Sequence, residues 1–306
     1  MPMQKLVIAL LLLSAPAWAQ LEGFGKEELI KYTAKNPFDR FEDGRPKVPD
    51  KYLEMLKGSS SEMLWGPLRG AGYEHQWVGG WQIVHPEKKL VGRAFTAVFM
   101  PVRPDLDEVI EADAKAKGLG KNDNQRVIDA LQPGDVLVVD LFGKIEGGTF
   151  AGDNLSTAII TATGNGYVID GGVRDLDGIY PQNMPIYVRG FDVSAIKDVM
   201  LMGMNVPIRI GGTTVMPGDV VVGDREGLSF IPPHVVEEAA KRSKILELHD
   251  IWTKGKLATG KWKASELYPS PATPSSSRST RSGWRRRRRS TASTTDVPGS
   301  SHLRLK

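Results

Sequence analysis

The 306-residue chain contains no cysteine. Disulfides, thiolate metal sites and a cysteine nucleophile are therefore excluded. Histidine is scarce. The five present (His75, His85, His234, His249, His302) show neither the HExxH spacing nor any other paired spacing of a zinc site, and read as surface or structural side chains. Ser156 has no histidine base near it in sequence, so a serine triad has no support. Gly118-Leu119-Gly120-Lys121 lacks the spacing and the following Ser/Thr of a phosphate-binding loop. Long apolar runs are missing too. The most apolar stretch, Leu6–Leu13, is too short to cross a bilayer as a helix.

That stretch follows Lys5 and precedes Ala17-Trp18-Ala19. A positive residue, an apolar core and an Ala-x-Ala site describe a secretory leader over residues 1–19, cleaved after Ala19. The expectation is an exported protein, periplasmic or secreted, with no membrane association once the leader is removed. The opposite end, Pro269–Lys306, is rich in Ser, Thr, Pro and Arg, including Arg285–Arg289, and has almost no aliphatic residues. Such composition cannot bury enough apolar surface to offset its ordering entropy, which predicts a disordered tail. The tail holds nine Lys/Arg against Asp296 alone, a net charge of +8 in a chain of +4, so the residues before it sum to −4. The basic character belongs to the tail, which is either a polyanion-binding arm or a mere extension. No aromatic or helical pattern accompanies the arginines, so no specific nucleic-acid partner is expected.

Between the ends, residues 20–89 read as a helical, aromatic extension, with helical spacing over Lys26–Ala34, Pro49–Lys57 and Glu62–Leu68. Tyr73, Trp77 and Trp81 line either a pocket or a core. An α/β domain is predicted over residues 90–248, and a C-terminal helical extension over 249–268. In the domain, Leu90–Met100 reads as a strand, and Pro104–Lys117 and Asn124–Leu131 as helices. Pro133-Gly134-Asp135-Val136-Leu137-Val138-Val139-Asp140 has a near copy, Pro217-Gly218-Asp219-Val220-Val221-Val222-Gly223-Asp224. Each is a tight turn feeding a strand apolar on both faces, hence covered on both. The copies suggest two similarly built edges of one sheet system. Tyr167–Asp170, Pro185–Val188 and Val206–Ile210 add short strands; Ser194–Met202 and Pro233–Leu248 read as helices. The class is α/β.

Residues 152–175 specify chemistry most closely. Gly152-Asp153-Asn154-Leu155 opens a small-residue helix, Ser156–Thr163, whose free N–H groups would face an anion. Asp153 is then either a helix cap or a holder of water on a metal. Tyr167–Asp170 is a buried strand that Gly171-Gly172 breaks, letting the backbone turn and approach a ligand. It delivers Arg174, whose planar fork fits a carboxylate, beside Asp175, a hard ligand suited to Mg²⁺. The alternative for this pair is an N-cap with a surface ion-pair partner.

With these motifs in this order, the chain from about Leu90 to Arg242 resembles the RraA-like family, which includes 4-hydroxy-4-methyl-2-oxoglutarate aldolases and the regulator of ribonuclease E activity. The carrying residues are the two Pro-Gly-Asp strands, Ala151–Leu155, Gly166–Asp175 and Pro185–Gly190. The resemblance implies a swivelling α/β/β/α-type domain assembling as a homotrimer or hexamer, with the active site between protomers. It implies Arg174 on the substrate carboxylate, Asp175 on Mg²⁺ or Mn²⁺, Asp153 orienting a metal-bound water, and the Gly152–Leu155 backbone, chiefly Asn154 and Leu155, on the pyruvyl carboxylate. The neighbouring subunit would add an acid, for which Glu226, Glu237 and Glu238 are candidates. The implied reaction is cleavage of a 4-hydroxy-2-oxo acid to pyruvate, with oxaloacetate decarboxylation as a side activity; the alternative is a non-catalytic binding or regulatory protein on the same scaffold. The chain departs from the family in its N-terminal extension, export leader and basic tail, and export argues against regulation of a cytoplasmic ribonuclease.

Overall fold

The computed structural model describes residues 23–267, so the leader and the basic tail lie outside the described residues. Residues up to Glu247 group into one compact unit, and the chain from Leu248 belongs to a second. In the first unit, α1 (Lys26–Tyr32), α2 (Asp50–Leu56) and α3 (Ser61–Gly70) precede the short strands β1 (Trp77–Val78) and β2 (Gln82–Val84). Then follow β3 (Leu90–Pro101), α4 (Pro104–Ala116), α5 (Asp123–Asp129), β4 (Asp135–Asp140), α6 (Asp153–Thr163), β5 (Tyr167–Val173), α7 (Leu176–Ile179), β6 (Ile186–Phe191) and β7 (Val199–Met204). A hairpin of β8 (Ile208–Ile210) and β9 (Thr213–Val215), strands β10 (Val220–Gly223) and β11 (Leu228–Ile231), the long α8 (Pro233–Leu257) and α9 (Ala264–Leu267) complete the order. Among the described residues, no helix is long and apolar enough to cross a membrane.

The sheet has a parallel centre, β3-β4-β5-β6. β10 runs antiparallel on the other side of β3, followed by β11 and β1, and β2 closes the far edge against β6. Both apolar strands are wholly buried, as their sequences require. Along β4 the side chains alternate between two cores. Leu137 and Val139 join Phe150, Ile159 and Ile169. Val136 and Val138 join Val168, Val221 and Phe230. A third core seals α2, α3 and the start of α8 against Val220, Val222 and Ile231.

Three expectations are corrected. The two Pro-Gly-Asp strands are not edges: β4 and β10 flank β3 inside the sheet. The predicted helix Ser194–Met202 is a strand from Val199. β10 pairs only with Leu90–Arg93 of the twelve-residue β3, and β7 supplies ladder partners for Ala97–Pro101. Its helix-compatible methionines and leucine yield to that pairing, and Asp198 turns into it with φ of 57°. Finally, β5 does not break at its glycine pair; it continues to Val173, with a register shift between Ile169 and Gly172.

The N-terminal extension is built into this unit. Arg45 is wholly buried between the rings of Phe41 and Phe95. It donates to Asp135 Oδ1 at 2.8 Å and to Asp43 Oδ2 at 2.6 Å. Arg93, also buried, donates to the Val48 carbonyl and pairs with Asp50 at the start of α2.

Candidate active site

The glycine pair in β5 serves packing. A Cβ on Gly171 would lie 2.7 Å from Leu141 Cδ2 and 2.8 Å from the Lys144 carbonyl; on Gly172 it would meet Ile145 at 3.2 Å. The loop between β4 and α6 therefore lies directly on the strand. It returns alongside it: Phe150 N–H donates to the Gly172 carbonyl at 2.9 Å, and Arg174 N–H to the Ala151 carbonyl at 3.0 Å. This pairing brings Gly152 next to Arg174 and Asp175. A Cβ on Gly152 would collide with Asp175 Oδ2 and sit 3.2 Å from Arg174 Nε. Only a residue without a side chain leaves that cradle open.

Asp175 is backbone-strained, at φ 60° and ψ 47°, a conformation that costs a non-glycine residue about 1 kcal/mol or more. Although it precedes α7, its side chain makes no cap. The carboxylate instead turns to Arg174, with Oδ2 3.2 Å from Nε. Both side chains open to solvent, at 26% and 47% exposure. Asp153 is the first residue of α6, and Gly152 is its N-cap. Its Oδ1 accepts from Asn154 N–H at 2.7 Å. Its Oδ2 packs against Gly178 of α7, where any side chain would collide with it. The first-turn N–H groups of α6, Leu155 included, have no carbonyl partner within the helix. Gly152, Asp153, Asn154, Leu155, Arg174 and Asp175 are thus gathered where the start of α6 meets the start of α7.

Other residues hold this arrangement, and sequence spacing does not reveal them. Tyr167 in β5 donates to Ser156 Oγ at 3.0 Å, and Ser156 donates to Gln182 Oε1 at 2.7 Å. Gln182 Nε2 reaches the carbonyls of Asp153 (2.9 Å) and Gly178 (3.2 Å). Burial raises the Tyr167 phenol, which keeps it a donor. Ser156 is therefore a link in a structural relay that fixes α6 against α7. Close by, Arg189 donates to Asp170 Oδ1 at 2.6 Å, stacks 3.6 Å from the Trp81 ring centre and reaches the Gly79 and Gly80 carbonyls. That ties the β1–β2 link to β5, the strand that leads into Arg174.

Among the described residues, three acidic side chains come close enough to share a metal ion elsewhere: Asp107, Glu111 and Asp123. Arg126 already sits among them. It is 2% exposed, with Nη1 2.7 Å from Asp123 and Nη2 2.9 Å from Glu111. Burial raises the Asp107 and Asp123 carboxyls. The cluster reads as a closed ion network tying α4 to α5.

The histidines are structural or exposed where described: His85 bonds Glu87 and the Tyr180 carbonyl, and His234 bonds Tyr73. Glu226, Glu237 and Glu238 are exposed.

The RraA-like profile, described as aldolase/RraA, matches residues 67–229. A protein of Halalkalibacterium halodurans named "Putative 4-hydroxy-4-methyl-2-oxoglutarate aldolase" is 32% identical over 158 residues, which span 51% of this chain and 74% of that protein. Protein DlpA of Legionella pneumophila is 27% identical over 217 residues, 70% of this chain and 32% of that larger protein. Among solved structures, Streptomyces coelicolor RraAS2, described as an unusual member of the RNase ES inhibitor RraA protein family, superposes with a TM-score of 0.58 at 25% identity, over 71% of this chain and 99% of that one. An uncharacterised protein of Pseudomonas syringae pv. tomato gives 0.59 at 25% identity, over 72% and 98%. The profile match covers more than half of the sequence, and with it β1 to β10, the α6 start and the Arg174–Asp175 pair: this chain belongs to the RraA-like family.

Proposed function

We propose that this chain is a divalent-metal-dependent lyase of the class II pyruvate aldolase type, cleaving a 4-hydroxy-2-oxo acid such as 4-hydroxy-4-methyl-2-oxoglutarate to pyruvate. One observation supports this above all: Arg174 and Asp175 stand side by side against the bare backbone of Gly152 at the head of α6. The named aldolase relative agrees with it.

The donors suit Mg²⁺ or Mn²⁺. Asp175 is a hard oxygen ligand, half exposed and unused as a cap, and Mg²⁺ needs only one or two carboxylates because it retains water. When bound, the cation supplies Lewis-acid polarisation of the 2-oxo acid. Arg174 grips the substrate carboxylate through its planar fork and opposes the negative charge that develops on the keto oxygen as the carbon–carbon bond breaks. The first-turn N–H groups of α6 receive a carboxylate oxygen. Asp153 uses Oδ1 to hold Asn154, and its carboxylate would orient a water of the cation. The relay from Tyr167 through Gln182 keeps both helix starts in register, so these groups need not reorganise during reaction.

Because Arg174 and Asp175 are open to solvent in one chain, this reading includes a second copy closing the site, in a homotrimer or a pair of trimers. Glu226, Glu237 and Glu238 are the candidate acids from that copy. It also includes export by the leader at residues 1–19.

The test is pyruvate release from 4-hydroxy-4-methyl-2-oxoglutarate and from oxaloacetate, with Mg²⁺ and after EDTA. The lyase reading expects turnover that chelation removes and metal restores; turnover indifferent to EDTA rejects it. A second reading, a non-catalytic regulator, is favoured by the likeness to RraAS2. It expects no pyruvate from either acid.

A further inference from the structure

The two Pro-Gly-Asp turns are finished differently. Asp135, ending the first, is buried against Arg45. Asp219, ending the second, is only 2% exposed, yet no cation pairs with it among the described residues. Its Oδ2 accepts Met216 N–H at 2.9 Å. Asp219 instead lines an open cleft of about 510 Å³, bordered by the end of α1 and the segment after it, the link from α3 to β1 and the start of α8. Gln76 lines the same cavity, and its Oε1 is buried without any hydrogen-bond donor. The walls between are apolar, built of Tyr73, Met216, Pro232 and Pro233, and Lys31 and Lys35 stand exposed at the rim.

We infer that this cavity binds a small amphipathic acid. A hydroxyl or N–H donor enters toward Gln76 and Asp219, an apolar ring system lies against Tyr73 and the prolines, and a carboxylate meets Lys31 and Lys35. A buried acceptor left without a donor costs about 1–3 kcal/mol, which a ligand donor recovers once the Gln76 amide turns into the cavity to meet it. The volume falls within the range of small-molecule sites, and their make-up is the same: apolar walls with a few convergent polar groups. Two further observations shape the ligand. Burial pushes the Asp219 carboxyl up to about 7, so it does not require a cation at the inner end. Burial and Lys35 lower His234, leaving the two lysines as the fixed charge of the lining. The Arg174 crevice shares no residue with this cavity, and the inference stands whether or not the chain is a lyase.

Three probes test it on the full chain by titration calorimetry: 4-hydroxyphenylacetate, phenylacetate, which lacks the donor, and 2-(4-hydroxyphenyl)ethanol, which lacks the carboxylate. The first should bind at least tenfold more tightly than either other. The exposed double substitution Lys31→Glu, Lys35→Glu should weaken it tenfold or more while sparing the alcohol. Gln76→Leu should weaken it while sparing phenylacetate. Asp175→Asn should bind it unchanged, which separates this site from the lyase reading. No saturable binding of 4-hydroxyphenylacetate, equal affinity for all three probes, or indifference to both sets of substitutions overturns the inference.

Discussion

Arg126 and Arg174 both meet carboxylates, and the two places differ in completeness. At Arg126 the guanidinium is fully engaged: it is buried, Asp123 and Glu111 are paired to it, and Asp123 Oδ2 also takes Leu201 N–H at 2.8 Å. At Arg174 the pairing is partial. One long contact to Asp175 is made from a strained backbone, both groups stay open, and a glycine keeps the space beside them clear. A completed network holds helices together; an incomplete one retains electrostatic capacity for a ligand. Composition alone does not distinguish the two, and the acidic cluster that most resembles a metal site by proximity is the completed one.

The sharpest way to break this contrast is Asp175→Asn. Asparagine tolerates the left-handed backbone, so folding should persist while kcat/KM for pyruvate release falls about a thousandfold or more, equivalent to about 4 kcal/mol. Glu111→Gln should leave turnover within about twofold. Next in size is Arg126→Ala, which strands the partly buried Asp123. Chemical denaturation should show a loss of about 3 kcal/mol, with kcat/KM per folded molecule unchanged. Arg174→Lys keeps the charge and loses the fork; steady-state kinetics should show KM rising about tenfold to a hundredfold, about 1.4–2.7 kcal/mol. The smallest effect concerns pH. The Asp219 carboxyl is raised by burial to about 7 in the folded chain. Its stabilising contribution is therefore full below the ordinary carboxylate pKa and is lost as pH rises through about 7. Asp219→Asn should flatten that part of a denaturation profile measured from pH 4 to 8.

Local sequence shows one side of the contrast better than the other. The runs at 136–139 and 220–222 could hardly be anything but buried strands, and Gly152–Leu155 and Arg174–Asp175 are legible because each is a continuous motif. What lies between is not legible where the cause is distant. Gly171 and Gly172 look like a strand break, but they make room for Leu141, Lys144 and Ile145 from the preceding loop. Val199–Met204 has no strand signature strong enough to outweigh its methionines until the unpaired half of β3 is known. Gln182 and Gly178 lie outside the motif, and their roles follow from where α7 lands on α6. Arg126 gives no sign in sequence that it closes an acidic cluster drawn from two helices. The Pro-Gly-Asp copies are twins in sequence, but Arg45, ninety residues from its partner, is what makes them unequal.

The most direct test of where the chemistry sits is a Mn²⁺ binding isotherm followed by electron paramagnetic resonance, on wild type, Asp175→Asn and Glu111→Gln. The account predicts a Mn²⁺ site in wild type that Asp175→Asn abolishes and Glu111→Gln retains. A site that survives in Asp175→Asn and disappears in Glu111→Gln would place the metal at the Arg126 network and contradict it.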